Sequence, residues 1–256
     1  VNRLAREGQL LVCAVQFLTR LPTPRLARFE PDWITRAARY FPLAGQLVGL
    51  ISAATWLAAR QVWPALPAAV LAVAVGVLAT GGFHEDGLAD TADGLGGGQT
   101  RERRLEIMKD SRLGAFGALA LGLTLSLKIA LLAGMAPWAG ALALFVAHGG
   151  ARAAAVMVMA ALPYGGDETA AKIKPVPQGV TAREAGLAAL LGGWPILLLG
   201  APKAVLGISL AGAAAGVMAW LARRLIGGVT GDVLGAVEQL AEVGLLMAAT
   251  AAWALA

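Results

Sequence analysis

Between residues 81 and 98 the chain reads GGFHEDGLADTADGLGGG, which sets four carboxylates, Glu85, Asp86, Asp90 and Asp93, beside His84 within ten positions bounded by glycine pairs. If Asp86 to Asp93 is helical, then Asp86, Asp90 and Asp93 fall at i, i+4 and i+7, inside one narrow arc of surface. Like charges stacked in this way repel, so a positive group belongs among them. Closely spaced carboxylate oxygens suit a hard divalent cation such as Mg2+, which keeps several waters and shares substrate phosphates. Glu85, Asp86, Asp90 and Asp93 are therefore the candidate metal ligands.

Three other clusters could serve an anionic ligand. The acidic stretch runs on into RERRLEIMKDSRLGAFG, residues 101–117, where basic and acidic side chains alternate as they would on a solvated amphipathic helix. Lys109 and Ser111 stand just before the next apolar run, where they could bind a phosphate or organise the metal ligands. Within the apolar runs, Lys128 could pair or snorkel. Arg152, one turn after His148, is the stronger candidate, because a guanidinium can clamp a diphosphate bidentately. A structural salt bridge from Arg152 to an acidic-stretch carboxylate is the alternative. The third cluster is GGVTGDVLGA, residues 227–236. Its glycines let backbone approach a ligand, and Thr230 and Asp232 offer oxygens there, although Asp232 could serve only as a helix N-cap. Glu238 and Glu242 follow at i, i+4 inside an apolar run, so at least Glu238 should face the interior.

The elements that must position these residues are membrane helices. The 256-residue chain is 58% hydrophobic and 14% charged, with a mean hydropathy of +0.69, and its apolar runs repeatedly reach bilayer-spanning length. Spans are expected at roughly 42–63, 65–83, 114–136, 138–162, 185–200, 203–222 and 233–255. Leu10–Leu18 is too short to span and is followed by Arg20, Pro22 and Pro24, which predicts an interfacial or re-entrant helix. The fold class is thus all-α: a polytopic transmembrane bundle of about seven spans plus that helix. Residues 1–256 are read as a single integral-membrane domain with an acidic cytoplasmic loop at 84–113.

Placing the N-terminal segment inside leaves only Arg60 and Lys203 in outer loops, which satisfies the positive-inside rule. The net charge of +5 is explained by that bias and not by nucleic acid, because the basic residues form no single stripe. Trp56, Trp63, Trp138, Trp194, Trp220 and Trp253 read as an interfacial belt, and Cys13 alone makes no disulfide or thiolate site.

Five ordered segments resemble the cobalamin synthase family, the adenosylcobinamide-GDP ribazoletransferases. They are FLTRLPTP at 17–24, RYFPLAGQLVG at 39–49, the acidic segment, MKDSRLGAFG at 108–117 and GGVTGDVLGA at 227–236. The resemblance implies that adenosylcobinamide-GDP is joined to alpha-ribazole or its phosphate with release of GMP, and it implies Mg2+ as cofactor. Under that reading the carboxylates hold the metal against the diphosphate, and Arg152, Lys109 and Arg20 balance phosphate charge. A carboxylate among Asp86, Asp90 and Asp93, or else His84, takes the proton from the ribazole hydroxyl, while Ser111, Thr230 and Asp232 line the substrate. The expected location is the bacterial inner membrane, multi-pass, with the active site facing the cytoplasm; homo-oligomerisation is left open.

The residues alone support a broader class of membrane, metal-dependent, diphosphate-using transferases. That class includes CDP-alcohol phosphotransferases, whose aspartate motif contains an alanine-arginine pair, and prenyltransferases, which carry two aspartate-rich motifs. A divalent-cation transporter is the alternative from another class, although its carboxylates would be expected within the spans.

Overall fold

The computed structural model describes residues 3–26, 30, 32–166 and 179–252. Arg28, Trp253 and most of the hydrophilic segment 163–184 lie outside the described residues. What is described is helical, with no strand beyond one isolated bridge between Tyr164 and Val229. In chain order the α-helices are α1 Arg3–Leu18, α2 Trp33–Ala37, α3 Phe41–Ala59, α4 Ala65–Thr80, α5 Phe83–Gly97, α6 Arg101–Met108 and α7 Ala115–Ala133. They continue with α8 Pro137–Ala161, α9 Ala182–Gly193, α10 Ala201–Ile226 and α11 Gly231–Thr250, and 3-10 turns at Ala38–Tyr40 and Trp194–Leu199 extend α2 and α9.

Each of the seven expected spans coincides with a helix, and six helical segments are long and apolar enough to cross a bilayer. The protein is a multi-pass, all-α membrane bundle. α8 and α11 are mostly enclosed, whereas α7 and α10 show much of their surface. On α7, Leu119, Leu123 and Leu127 are exposed at i, i+4 and i+8, a stripe that suits lipid and not water. α1 buries Leu10, Cys13, Ala14 and Leu18 along one face and is not among the helices apolar enough to span, in keeping with the interfacial reading. Trp63, Trp138, Trp194 and Trp220 are exposed, but Trp56 is fully buried. Its indole N–H donates to the Pro137 carbonyl at 2.7 Å, so Trp56 ties α3 to α8 and belongs to the core.

Small residues set the helix contacts. Gly45 and Gly49 of α3 face α8 so closely that a Cβ on Gly49 would lie 2.8 Å from the Leu144 carbonyl oxygen, the close approach that lipid-embedded helices rely on.

The expected span at 65–83 is the one that departs from a straight helix. α4 has 16 residues, about 24 Å of rise, and it stops at Gly81 and Gly82, whose φ angles are 70° and 72°. Two successive left-handed residues are accessible to glycine at little cost. They turn the chain by 89° into α5. The acidic stretch is therefore not a loop: α5 and α6 fold 83–97 and 101–108 into helices at one end of the bundle. α5 seats on α11 where Gly87 meets Asp232 and Gly235, and a Cβ at Gly87 would lie 2.8 Å from the Asp232 carbonyl oxygen. Gly87→Val is expected to cost about 3 kcal/mol by overpacking, read as a lowered thermal midpoint of the detergent-solubilised protein; an unchanged midpoint would show that this crossing has slack.

Candidate active site at the acidic end of the bundle

On α5, at ~100° per residue, Asp86, Asp90 and Asp93 share an arc of ~60°, Glu85 stands ~100° to one side and His84 lies ~160° away. Burial varies along this arc. Asp86 is exposed, Asp90 and Glu85 are half-buried, and His84 and Asp93 are buried. The fold thus gathers the three aspartates on one face and sends Glu85 and His84 elsewhere.

Asp93 turns toward the start of α7. One carboxylate oxygen accepts the Gly114 N–H at 2.7 Å and the other accepts the Gly117 N–H at 2.9 Å. The carboxylate so satisfies two donors left open at a helix N-terminus, where negative charge is favoured. Gly114 and Gly117 have to be glycine here, because a Cβ on either would collide with the Asp93 carboxylate. The same contacts bring the 109–114 segment to the aspartate face. Lys109 caps α6, and Lys109 and Ser111 are exposed. Asp110 next to them is held near pKa 2, chiefly by the Arg112 side-chain hydrogen bond.

On the other flank lies the loop between α10 and α11. Thr230 caps α11, its hydroxyl accepting the Val233 N–H at 3.3 Å, and Asp232 sits in the first turn against Gly87. α6 pins this loop, since Arg101 donates to the Ile226 and Gly165 carbonyls, both at 2.9 Å. Arg20, exposed, donates its backbone N–H to Ala79 at 2.7 Å and lays its side chain over Gly81, at the bend where α5 begins.

Behind α5, inside the bundle, is a second and separate polar cluster. Arg152 donates to Glu238 Oε1 at 2.7 Å and to the His148 carbonyl at 2.8 Å. Lys128 donates to Gln239 Oε1 at 2.7 Å and lies 3.1 Å from Glu242 Oε1. The Gln239 amide nitrogen donates to Glu238 at 3.0 Å and to Glu85 Oε1 at 2.9 Å. Arg152 is only 2% exposed. Its partner is Glu238 of α11 and not a carboxylate of the acidic stretch, and it is shut away from the aspartate face. His84 lines the same interior with Lys128, His148 and Glu242.

Among the described residues, His148, Glu238 and Glu242 are the one set of ligand-type side chains converging within 4.8 Å. Arg152 and Lys128 already pair with both of these carboxylates. A divalent ion there would stand against the Arg152 guanidinium and the Lys128 ammonium in a low-dielectric interior, so this trio is structural. The aspartate face is different. Its donors are all carboxylate oxygens, the exposed Asp86 leaves room for waters and phosphates to complete a shell, and Asp93 retains lone pairs beyond the two it has committed. These residues fit Mg2+.

Residues 10–250 match the cobalamin-5-phosphate synthase family (CobS). The chain is 48% identical over 253 residues to the adenosylcobinamide-GDP ribazoletransferase of Leptothrix cholodnii, with 94% of each chain covered. It is 45% identical over 238 residues to that of Ralstonia nicotianae, with 91% of each covered. The chain belongs to the cobalamin-5-phosphate synthase family. The enzyme of the same name from Shewanella frigidimarina is 42% identical over 250 residues, covering 93% of this chain and 92% of its own. No solved structure matches. The match to the cobalamin-5-phosphate synthase family runs through α5, the 109–114 segment and the α10–α11 loop alike, so all three walls of the aspartate face lie within it. Lys128 pairs, as its place within an apolar run allowed, but its partners Gln239 and Glu242, and any role for Gln239, are not specified by the sequence. The available signal was the excess of polar side chains in α11, where Glu238, Gln239 and Glu242 fall within one and a half turns.

Proposed function

We propose that this chain is an adenosylcobinamide-GDP ribazoletransferase that works on the outward aspartate face of α5, at the cytoplasmic side of the bacterial inner membrane. The observation that carries the site assignment is the arc of Asp86, Asp90 and Asp93, held between the 109–114 segment and the α10–α11 loop. The membership of the family excludes neither flank, and it disfavours the transporter and the other transferase classes.

In the reaction, a hydroxyl oxygen of alpha-ribazole or its phosphate attacks the phosphorus bearing the corrinoid arm, the bond from that phosphorus to the GMP oxygen breaks, and GMP leaves. Asp86, Asp90 and Asp93 would hold Mg2+. When bound, the metal would neutralise the diphosphate and the charge growing on GMP. Lys109, Ser111 and Arg20 would receive the remaining phosphate charge from the exposed rim, and Thr230 and Asp232 would bound the other side. The hydroxyl proton passes to an outward carboxylate, Asp86 or Asp90, because His84 is enclosed on the opposite side of α5. Arg152 supports the site from within by holding Glu238.

The test is GMP release by the purified protein in lipid nanodiscs. Release is expected only when adenosylcobinamide-GDP, alpha-ribazole or its phosphate, and Mg2+ are all present. GMP release that persists without any ribazole would point to a hydrolase, and release that persists with chelator would remove the metal.

A further inference from the structure

A side-chain bridge whose chemistry fixes its own orientation ties α5 to the bundle interior. Lys128 can only donate, so the Gln239 oxygen must face it, and the Gln239 amide N–H groups must then face Glu85 and Glu238. Gln239 is 2% exposed and spends one acceptor and both donors on three partners drawn from α7, α5 and its own helix α11. Glu85 receives the bond on Oε1, while its buried Oε2 makes no hydrogen bond. It points ~100° away from the aspartate arc. A carboxylate so placed is turned toward the interior and not toward the open face that a phosphate-bound cation would occupy.

We infer that Glu85 is an anchor and not a metal ligand, and that Gln239 is the positioning residue which, through Glu85, sets the rotation of α5 and so the aim of Asp86 and Asp90. This rests on the transferase reading of the α5 face. The anchor needs an acceptor oxygen at position 85 but no charge, whereas a ligand to a hard cation needs the charge. Glu85→Gln keeps an acceptor for the Gln239 N–H; Glu85→Leu and Gln239→Leu remove the bridge from either end.

The experiment measures GMP-release kinetics, half-saturating Mg2+ and backbone hydrogen exchange over 84–97 for the three variants. Glu85→Gln is expected to keep kcat within about threefold of the parent, with unchanged half-saturating Mg2+ and unchanged exchange. Glu85→Leu and Gln239→Leu are each expected to lower kcat by about 10–100-fold, the range for supporting residues behind a site, with little change in KM for the corrinoid. Exchange in 84–97 should rise, and the double variant should be no worse than either single. Glu85→Gln as damaging as Glu85→Leu, with raised half-saturating Mg2+, would make Glu85 a ligand and overturn the inference. So would unaltered kinetics and exchange in all three. If Gln239→Leu does not fold, Glu85→Leu, at a half-buried position, carries the same comparison. A parent that releases no GMP would remove the transferase reading, while the exchange data would still decide whether the bridge holds α5.

Discussion

Asparagine at position 86 or at position 90 is expected to lower GMP release by roughly a hundredfold or more, while the protein stays folded in the membrane. Asparagine keeps the shape of aspartate but loses the negative charge, so it is a poor ligand for a hard cation and cannot take up the hydroxyl proton. Asp86 is exposed, and substitutions at such places typically move stability by less than about 0.5 kcal/mol when no packing is disturbed. Lost turnover can therefore be separated from lost structure by comparing thermal midpoints. Asp93 allows no such separation, because its two oxygens also hold the Gly114 and Gly117 N–H groups at the head of α7. Half-saturating Mg2+ should rise in both variants if any turnover remains. Full turnover in both at ordinary Mg2+ would move the reaction off this face.

The bundle was largely legible because hydropathy is additive along a chain: each of the seven apolar runs became a helix, and the weaker run Leu10–Leu18 became the amphipathic α1. The helical spacing of Asp86, Asp90 and Asp93 was legible for the same reason, since periodicity is local. What sequence could not give was direction. Gly81 and Gly82 mark a break, but only the backbone shows that two left-handed residues turn α5 through 89° instead of releasing a loop. The second task of Asp93 depends on donors at Gly114 and Gly117, 21 and 24 residues away, which no local pattern announces. Trp56 shows the same limit: a tryptophan near a span end reads as interfacial until a carbonyl of another helix is found to accept its N–H. The interior ions were half legible. Lys128, Arg152, Glu238 and Glu242 were each conspicuous as charges within apolar runs, and their equal numbers of each sign invited pairing. Which cation met which anion required the tertiary structure.

Removing Arg152 is expected to destabilise the bundle strongly. Arg152→Leu leaves the Glu238 carboxylate, 1% exposed, without its counter-ion, and truncating one partner of a buried ion pair typically costs about 3–5 kcal/mol. The Gln239 N–H at 3.0 Å would remain as a partner for Glu238 but supplies no charge. The remaining arrangement, with Lys128 beside Glu242 and Gln239, cannot reach over without giving up its own contacts. Arg152→Leu combined with Glu238→Leu removes both charges, and paired apolar replacements of this kind are often close to neutral. The double variant should therefore recover most of the lost stability in denaturant titrations of the solubilised protein. It should also recover much of the GMP release, since Arg152 acts from behind α11 and touches no phosphate in this arrangement. Recovered stability with turnover still absent would mean that the guanidinium reaches the substrate during the reaction, and would return Arg152 to the diphosphate site.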